Sequence, residues 1–298
     1  MKYSLIFLFS SIMQISFAQM PHLASGKLVR YENYHSAFVD PRNVDVWLPD
    51  GYSSSKKYDV LYMHDGQMLF DSVTTWNKQE WGVDDVAGSL IRSKKIRDVI
   101  IVAIWNTPKR RVEYYPAKAF DLLAANWQDT LRKDAEYKGR PVSDDYLRFI
   151  VSELKPFIDS NYSIHKDRAH TFIAGSSMGG LISLYAICEY PEVFGGAACL
   201  STHWPGTVKR NEPAIAVGFM DYMNKRLPDP AQHRIYFDLG DQTLDSWYLP
   251  YQLLADAVMK AKGFTDRNWI TRVFPGADHS EKSWHARLHE PLLFLLRR

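Results

Sequence analysis

The sequence predicts an α/β fold: a mostly parallel central sheet with antiparallel N-terminal strands and helices on both faces. Two observations carry this. From residue 26 onward short β-rich runs alternate with longer helical patterns, the order that builds a parallel sheet covered by helices. Several of those runs are also apolar throughout and end directly at His, Asn or Gly, as strands buried on both faces do.

Val44 to Leu48 alternates in character and runs into Pro49-Asp50-Gly51, a turn that should return the chain to the next strand. The continuous apolar strands are expected at Tyr58 to Met63, Asp98 to Trp105, Thr171 to Ala174 and Arg234 to Leu239, with a later one at Trp269 to Phe274. Helical spacing covers Trp81 to Ser93, Ser143 to Asp159, Met178 to Glu189, Tyr248 to Lys262 and Ser283 to Leu296. Residues 107–142 are rich in charge and aromatics with weak periodicity, and read either as a lid or as a long solvated connection. No repeat or linker divides the chain, so one domain is expected over 26–298.

The balance of 36 basic against 34 acidic residues, a net charge of +2 without long single-sign runs, gives no surface for nucleic acid. Lys2, the apolar stretch Tyr3 to Phe17 and the small residues Ser16 and Ala18 predict a signal peptide over 1–18, cut after Ala18. The expected location is therefore secreted or periplasmic, with no membrane span after signal removal. Cys188 and Cys199 sit in apolar contexts, without a CxxC or a nearby His cluster, and read as buried thiols. No metal or cofactor is expected.

Chemistry enters at Gly175-Ser176-Ser177-Met178-Gly179, a G-x-S-x-G between an apolar strand and a helical pattern. A strand that turns this sharply into a helix exposes the central Ser177 as a candidate nucleophile. Gly175 and Gly179 should lack side chains to let strand and helix meet. The helix onset aims the Met178 amide at the space where an oxyanion would form. On this arrangement an acid and a histidine follow in chain order. After Phe237 three aspartates compete: Asp238 still within the strand, Asp241 at the start of the loop and Asp245 just before the next helix. Of these Asp245 is favoured, and Pro275 to Glu281 offers His279 as general base. His285 and His289 fall within a helical pattern and read as packing or surface residues. His203 precedes every available acid and, with Trp204, is expected at the substrate-pocket wall. His64-Asp65-Gly66-Gln67, after an early strand, is placed to supply a second oxyanion amide from Gln67.

These residues together with Arg110-Arg111-Val112-Glu113-Tyr114 and Gly276 to Glu281 resemble the esterase D and enterochelin esterase family of α/β-hydrolases, which includes feruloyl and acetylxylan esterases. The resemblance spans about residues 30 to 297. It implies a metal-independent ester hydrolase with Ser177 as nucleophile, Asp245 as acid, His279 as base, and Gln67 and Met178 supplying the oxyanion hole. Some members carry the acid nearer the glycine, where this chain has Thr243, which cannot serve. The implied substrate is a small-molecule or polysaccharide ester. Export and aromatics such as Trp127, Trp204 and Trp247 favour acetyl or feruloyl esters of polysaccharides over trilactone siderophores. An acyltransferase on the same scaffold and a non-catalytic binding protein are the alternatives.

Overall fold

The computed structural model describes residues 19–298 except Glu136, Lys138 and Arg210. The expected signal peptide lies outside the described residues. Eight strands form one mixed sheet: β1 (Lys27–Tyr34), β2 (Arg42–Leu48), β3 (Asp59–Met63), β4 (Val99–Ile104), β5 (Thr171–Ser176), β6 (Gly196–Leu200), β7 (Arg234–Leu239) and β8 (Trp269–Val273). Their spatial order is β1-β2-β4-β3-β5-β6-β7-β8. β1 pairs antiparallel with β2 and β2 with β4, and every other pairing is parallel.

The turn at Pro49-Asp50-Gly51 therefore does not deliver the chain to a neighbouring strand. β2 lies beside β1 and β4, and the chain passes over β4 before starting β3. A parallel β3–β4 pair needs a crossover, which the helix Val83–Arg92 supplies.

Alternation along the central strands divides the core. Val60 and Tyr62 of β3 join Ile100, Val102 and Ile173 on one face. Leu61 and Met63 join Ile101, Phe172 and Ala174 on the other. Helices on each face bury these residues, which is why the central strands are apolar throughout. The helix Met178–Glu189 is itself buried from Met178 to Cys188, enclosed between the sheet and the outer helices. Cys188 and Cys199 are free buried thiols.

Residues 107–142 are packed structure and not a long solvated connection, and Thr107, Pro108 and Arg110 border the same cavity as Ser177. The segment holds the helices Arg110–Tyr114, Ala117–Phe120 and Ala125–Lys133 and buries Tyr114, Tyr115, Phe120, Leu123 and Leu131. Arg42, from β2, clamps this segment through two bonds to Glu113 at 2.7 and 3.0 Å. The helix Pro213–Arg226, which the sequence did not suggest, packs on it where Gly218 leaves room for Leu123. Among the described residues no helix is long and apolar enough to cross a membrane.

Candidate active site

The C-terminal ends of the parallel strands point to one side of the sheet, and the loops leaving β3, β5, β7 and β8 carry the candidate residues. That edge is where an open α/β sheet binds ligands. β5 delivers Ser177, whose backbone adopts φ 58° and ψ −120°, a conformation strained for a residue with a Cβ. The surroundings hold it there. Its N–H donates to Leu200 O at 2.9 Å, and its carbonyl accepts from Gly180 N–H at 3.0 Å and His203 N–H at 3.2 Å.

The two glycines of the motif are not equivalent. A Cβ on Gly175 would sit 2.9 Å from the Gly179 backbone, so strand and helix touch only because residue 175 has none. A Cβ on Gly179 would meet Asp65 and His64 at an ordinary 3.5 Å. The expectation that both positions exclude a side chain holds at Gly175 and fails at Gly179. Met178 opens the helix, so its amide has no carbonyl within the helix to bond. That amide and the positive end of the helix dipole face the space in front of Ser177.

Across that space the chain leaves β3 through Asp65, at φ 57°, into the single turn Gly66–Met68. A Cβ on Gly66 would lie 2.7 Å from the Ala103 carbonyl carbon, so the turn is pressed onto β4. Gln67 lines the cleft, and its Oε1 accepts from the Asn106 N–H at 3.1 Å. Asp65 supports the loop from behind. Burial alone would raise its carboxyl, but Arg110, bonded to both oxygens at 2.7 Å, and Asn106 at 2.6 Å hold it below the usual range. His64 is buried against the Tyr146 hydroxyl at 2.8 Å, and burial lowers it to about 3. It is neutral at physiological pH.

Asp245 and His279 meet, with Oδ1 and Nδ1 2.5 Å apart. Asp245 is fully buried. Its Oδ2 accepts from Gly240 N–H and the Ser201 hydroxyl, both at 2.6 Å. Burial pushes the Asp245 carboxyl up, yet the bonds from His279, Ser201 and Gly240 leave it below the ordinary aspartate value. It is ionised, and an ionised acceptor at Nδ1 keeps the proton there and leaves the other ring nitrogen free to take one. Asp241 is elsewhere. It is exposed and accepts from Gly276 N–H and Gln242 Nε2, each at 2.8 Å, bracing the turn. Thr243 accepts the His279 N–H at 2.9 Å.

Residues 36–295 match the family described as "Putative esterase". The chain belongs to this esterase family. The protein is thus a carboxylic ester hydrolase of α/β-hydrolase fold. It is 22% identical over 249 residues to the uncharacterized protein YbbA of Bacillus subtilis (strain 168), covering 81% of this chain and 87% of YbbA. It is 25% identical over 203 residues to an endo-1,4-beta-xylanase/feruloyl esterase of Xylanibacter ruminicola, covering 63% of this chain but 23% of that longer protein. Among solved structures a ferulic acid esterase superposes with a TM-score of 0.63 at 21% identity, over 91% of this chain and 98% of its own.

The esterase has a cleft of about 730 Å³ in front of Ser177 and His279, with Gln67, Arg110, Trp76 and Glu281 among its walls. Its aromatics are not those expected. Trp76 is 83% exposed at the cleft, with Trp81 and Trp284 deeper. Trp127 packs against the core. His203 and Trp204, expected at the pocket wall, lie beneath it and are fully buried. The chain turns inward after β6: His203 Nδ1 pairs with the Tyr248 hydroxyl at 2.6 Å, and Trp204 Nε1 donates to Gln252 at 3.0 Å. Burial lowers His203 far below the usual histidine value. His289 is exposed, and His285 is partly buried with its ring filling the space beside Gly82.

Residues that sequence reasoning missed complete the site. Ser201 Oγ accepts from Trp284 Nε1 at 3.0 Å and Arg287 at 2.7 Å, which commits its own proton to Asp245. Arg287 also reaches Asp238 at 3.0 Å and lies 3.8 Å from Asp245. Two buried carboxylates thus share one guanidinium, with a hydroxyl between them. The available signal was the placement of Ser201 directly after a short apolar run, Gly196 to Leu200.

Proposed function

We propose that the protein is an exported serine esterase that works through an acyl-enzyme, with Ser177 as nucleophile, His279 as general base and Asp245 as the acid that orients it. The observation that carries this reading is the 2.5 Å Asp245–His279 pair at the same cleft as the strained Ser177 turn. His279 removes the hydroxyl proton as Ser177 Oγ bonds to the ester carbon. The resulting oxyanion is stabilised by the Met178 and Gln67 amides. Collapse breaks the ester C–O bond, the alcohol leaves with the proton from His279, and water repeats the sequence to release the acid.

The substrates are acetyl or feruloyl esters of polysaccharides. A tryptophan that is 83% exposed at the cleft gives a face on which a sugar ring can stack, and the xylanase/feruloyl esterase relative carries that activity in its name. Ser177→Ala should remain folded and lose several orders of magnitude in turnover of a chromogenic acetate ester. Retention of more than about a tenth of the rate contradicts the assignment. Acetylated xylan, methyl ferulate and a catecholate trilactone assayed side by side decide the substrate. Preference for the trilactone overturns the polysaccharide reading.

A further inference from the structure

At the opposite end of β3 from the cleft, an aspartate converges with two histidines from a distant part of the chain. Asp59 opens β3, and His165 and His170 flank the turn that leads into β5. One potential ligand atom from each lies within 4.8 Å of the others. The two imidazoles are stacked, with centroids 4.2 Å apart and planes at 26°. We propose that Asp59, His165 and His170 form a Zn²⁺ site that ties the start of β3 to the loop entering β5, a function separate from ester hydrolysis.

Several observations support this assignment. The ligand backbones are fixed: Tyr58 N–H donates to Ser163 O at 3.1 Å, His165 N–H to Tyr58 O at 2.9 Å, and Asp59 N–H to Asp98 O at 2.9 Å. His170 carries its own orienting carboxylate. Asp167 receives the Nδ1–H, its oxygens 2.8 and 2.9 Å away, which leaves Nε2 as the lone-pair donor. A carboxylate behind a ligating histidine is the usual support of a protein-bound zinc. Asp59 is 2% exposed, and its buried Oδ2 has no hydrogen bond of good geometry. Arg97 Nε, 2.8 Å from that oxygen, gives an ion pair in its place.

Donor chemistry narrows the class of ion. Two imidazoles and one carboxylate suit Zn²⁺ or a similar transition-metal ion such as Fe²⁺, and not Mg²⁺ or Ca²⁺, which take oxygen shells; Zn²⁺, which needs no redox control, is the probe. Bonds of about 2.1 Å put tetrahedral ligand atoms roughly 3.4 Å apart, and each imidazole must hold the ion in its own ring plane, so the partly exposed His165 must rotate out of its stack on His170 to close the gap. Water fills the fourth position. The positive charge of Arg97 competes for Asp59 and weakens the site.

The test is a thermal melt of the full mature protein with ZnCl₂, with MgCl₂ as control. At a hundredfold excess over Kd, Zn²⁺ should raise Tm by about 5 °C while Mg²⁺ does nothing. His165→Gln and His170→Gln should each remove the shift, and Asp167→Asn should weaken Zn²⁺ at least about tenfold. No shift, or one that survives both histidine changes, overturns the proposal. Should a variant fail to fold, the unmutated protein still decides: Zn²⁺ must protect His165 and His170 from diethylpyrocarbonate, and their undiminished modification at saturating Zn²⁺ rejects the site.

Discussion

Replacing Asp245 by Asn tests the buried acid without emptying its site. Oδ2 of Asp245 accepts two bonds, from Ser201 and Gly240, and Oδ1 accepts one, from His279. An asparagine keeps the two by placing its carbonyl oxygen at the Oδ2 position, which turns its NH₂ towards His279. That group donates, so His279 Nδ1 must become the acceptor and the ring proton moves to Nε2. An imidazole with Nε2 already protonated cannot take the Ser177 proton. The expected loss in turnover is about four orders of magnitude, equivalent to roughly 5 kcal/mol in the barrier. KM should change little, since Asp245 lies outside the cleft wall. Stability should fall by only about 1 kcal/mol, because Arg287 keeps Asp238 at 3.0 Å. Initial rates on a chromogenic acetate ester, compared at equal folded fraction by circular dichroism, measure this. Asp241→Asn is the companion and should cost on the order of 1 kcal/mol in stability from the Gly276 turn, with turnover near normal. A larger loss of turnover from Asp241→Asn than from Asp245→Asn refutes the assignment.

The two motif glycines should separate in the same assay: Gly175→Ala disrupts folding, because its Cβ meets backbone at 2.9 Å, while Gly179→Ala stays folded. A thermal melt with equal losses for both contradicts the steric account. His64, lowered to about 3 by burial, should make the fold acid-sensitive. Below about pH 6.5 the unfolded chain binds a proton that the buried ring refuses, so wild type should lose about 1.4 kcal/mol per pH unit relative to His64→Asn. Parallel urea-stability curves for the two proteins between pH 6.5 and 5 would exclude that protonation difference.

What was legible in the sequence follows from how local each feature is. The elbow could be read because strand, turn and helix are contiguous from Thr171 to Glu189, and the observed helix has the expected bounds. The acid needed a loop path. Asp241 and Asp245 differ only in which way a short turn carries them, and that depends on bonds to Gly240 and Ala277 across two loops. β6 escaped notice because Gly196-Ala-Ala-Cys-Leu has almost no β-branched or aromatic content to mark it. His203 and Trp204 were misplaced for a related reason. Lying after a strand end suggested the cleft wall, but the helices Pro213–Arg226 and Leu249–Ala261 supply Phe219 and Gln252 to enclose Trp204. The Asp59, His165 and His170 cluster is invisible as spacing, since the parallel β3–β5 pairing and the Tyr58–Ile164 bridge beside it bring Asp59 to the two histidines.

Chain order and space also explain the support beneath the site. β5, β7 and β8 carry Ser177, Asp245 and His279 at or after their ends, and β6 lies between β5 and β7. The segment that follows β6 therefore has the candidate nucleophile on one side and the candidate acid on the other. It contributes little to the cleft wall and bonds to both neighbours. Leu200 O and His203 N–H hold the Ser177 backbone, while the Ser201 hydroxyl bonds to Asp245 and its N–H bonds to Asp238 O at 2.9 Å. Ser201 itself sits at φ 41°, a strained conformation kept by bonds in both directions. The spacing between the Ser177 turn and the Asp245–His279 pair is thus set by four consecutive residues, Leu200 to His203. Their constraint is mechanical: displacement of this segment shifts the support of Ser177 and Asp245 together. That dependence accounts for the burial of His203 and Trp204, whose side chains anchor the segment in the core and leave the wall of the cleft to Gln67, Arg110 and the exposed Trp76.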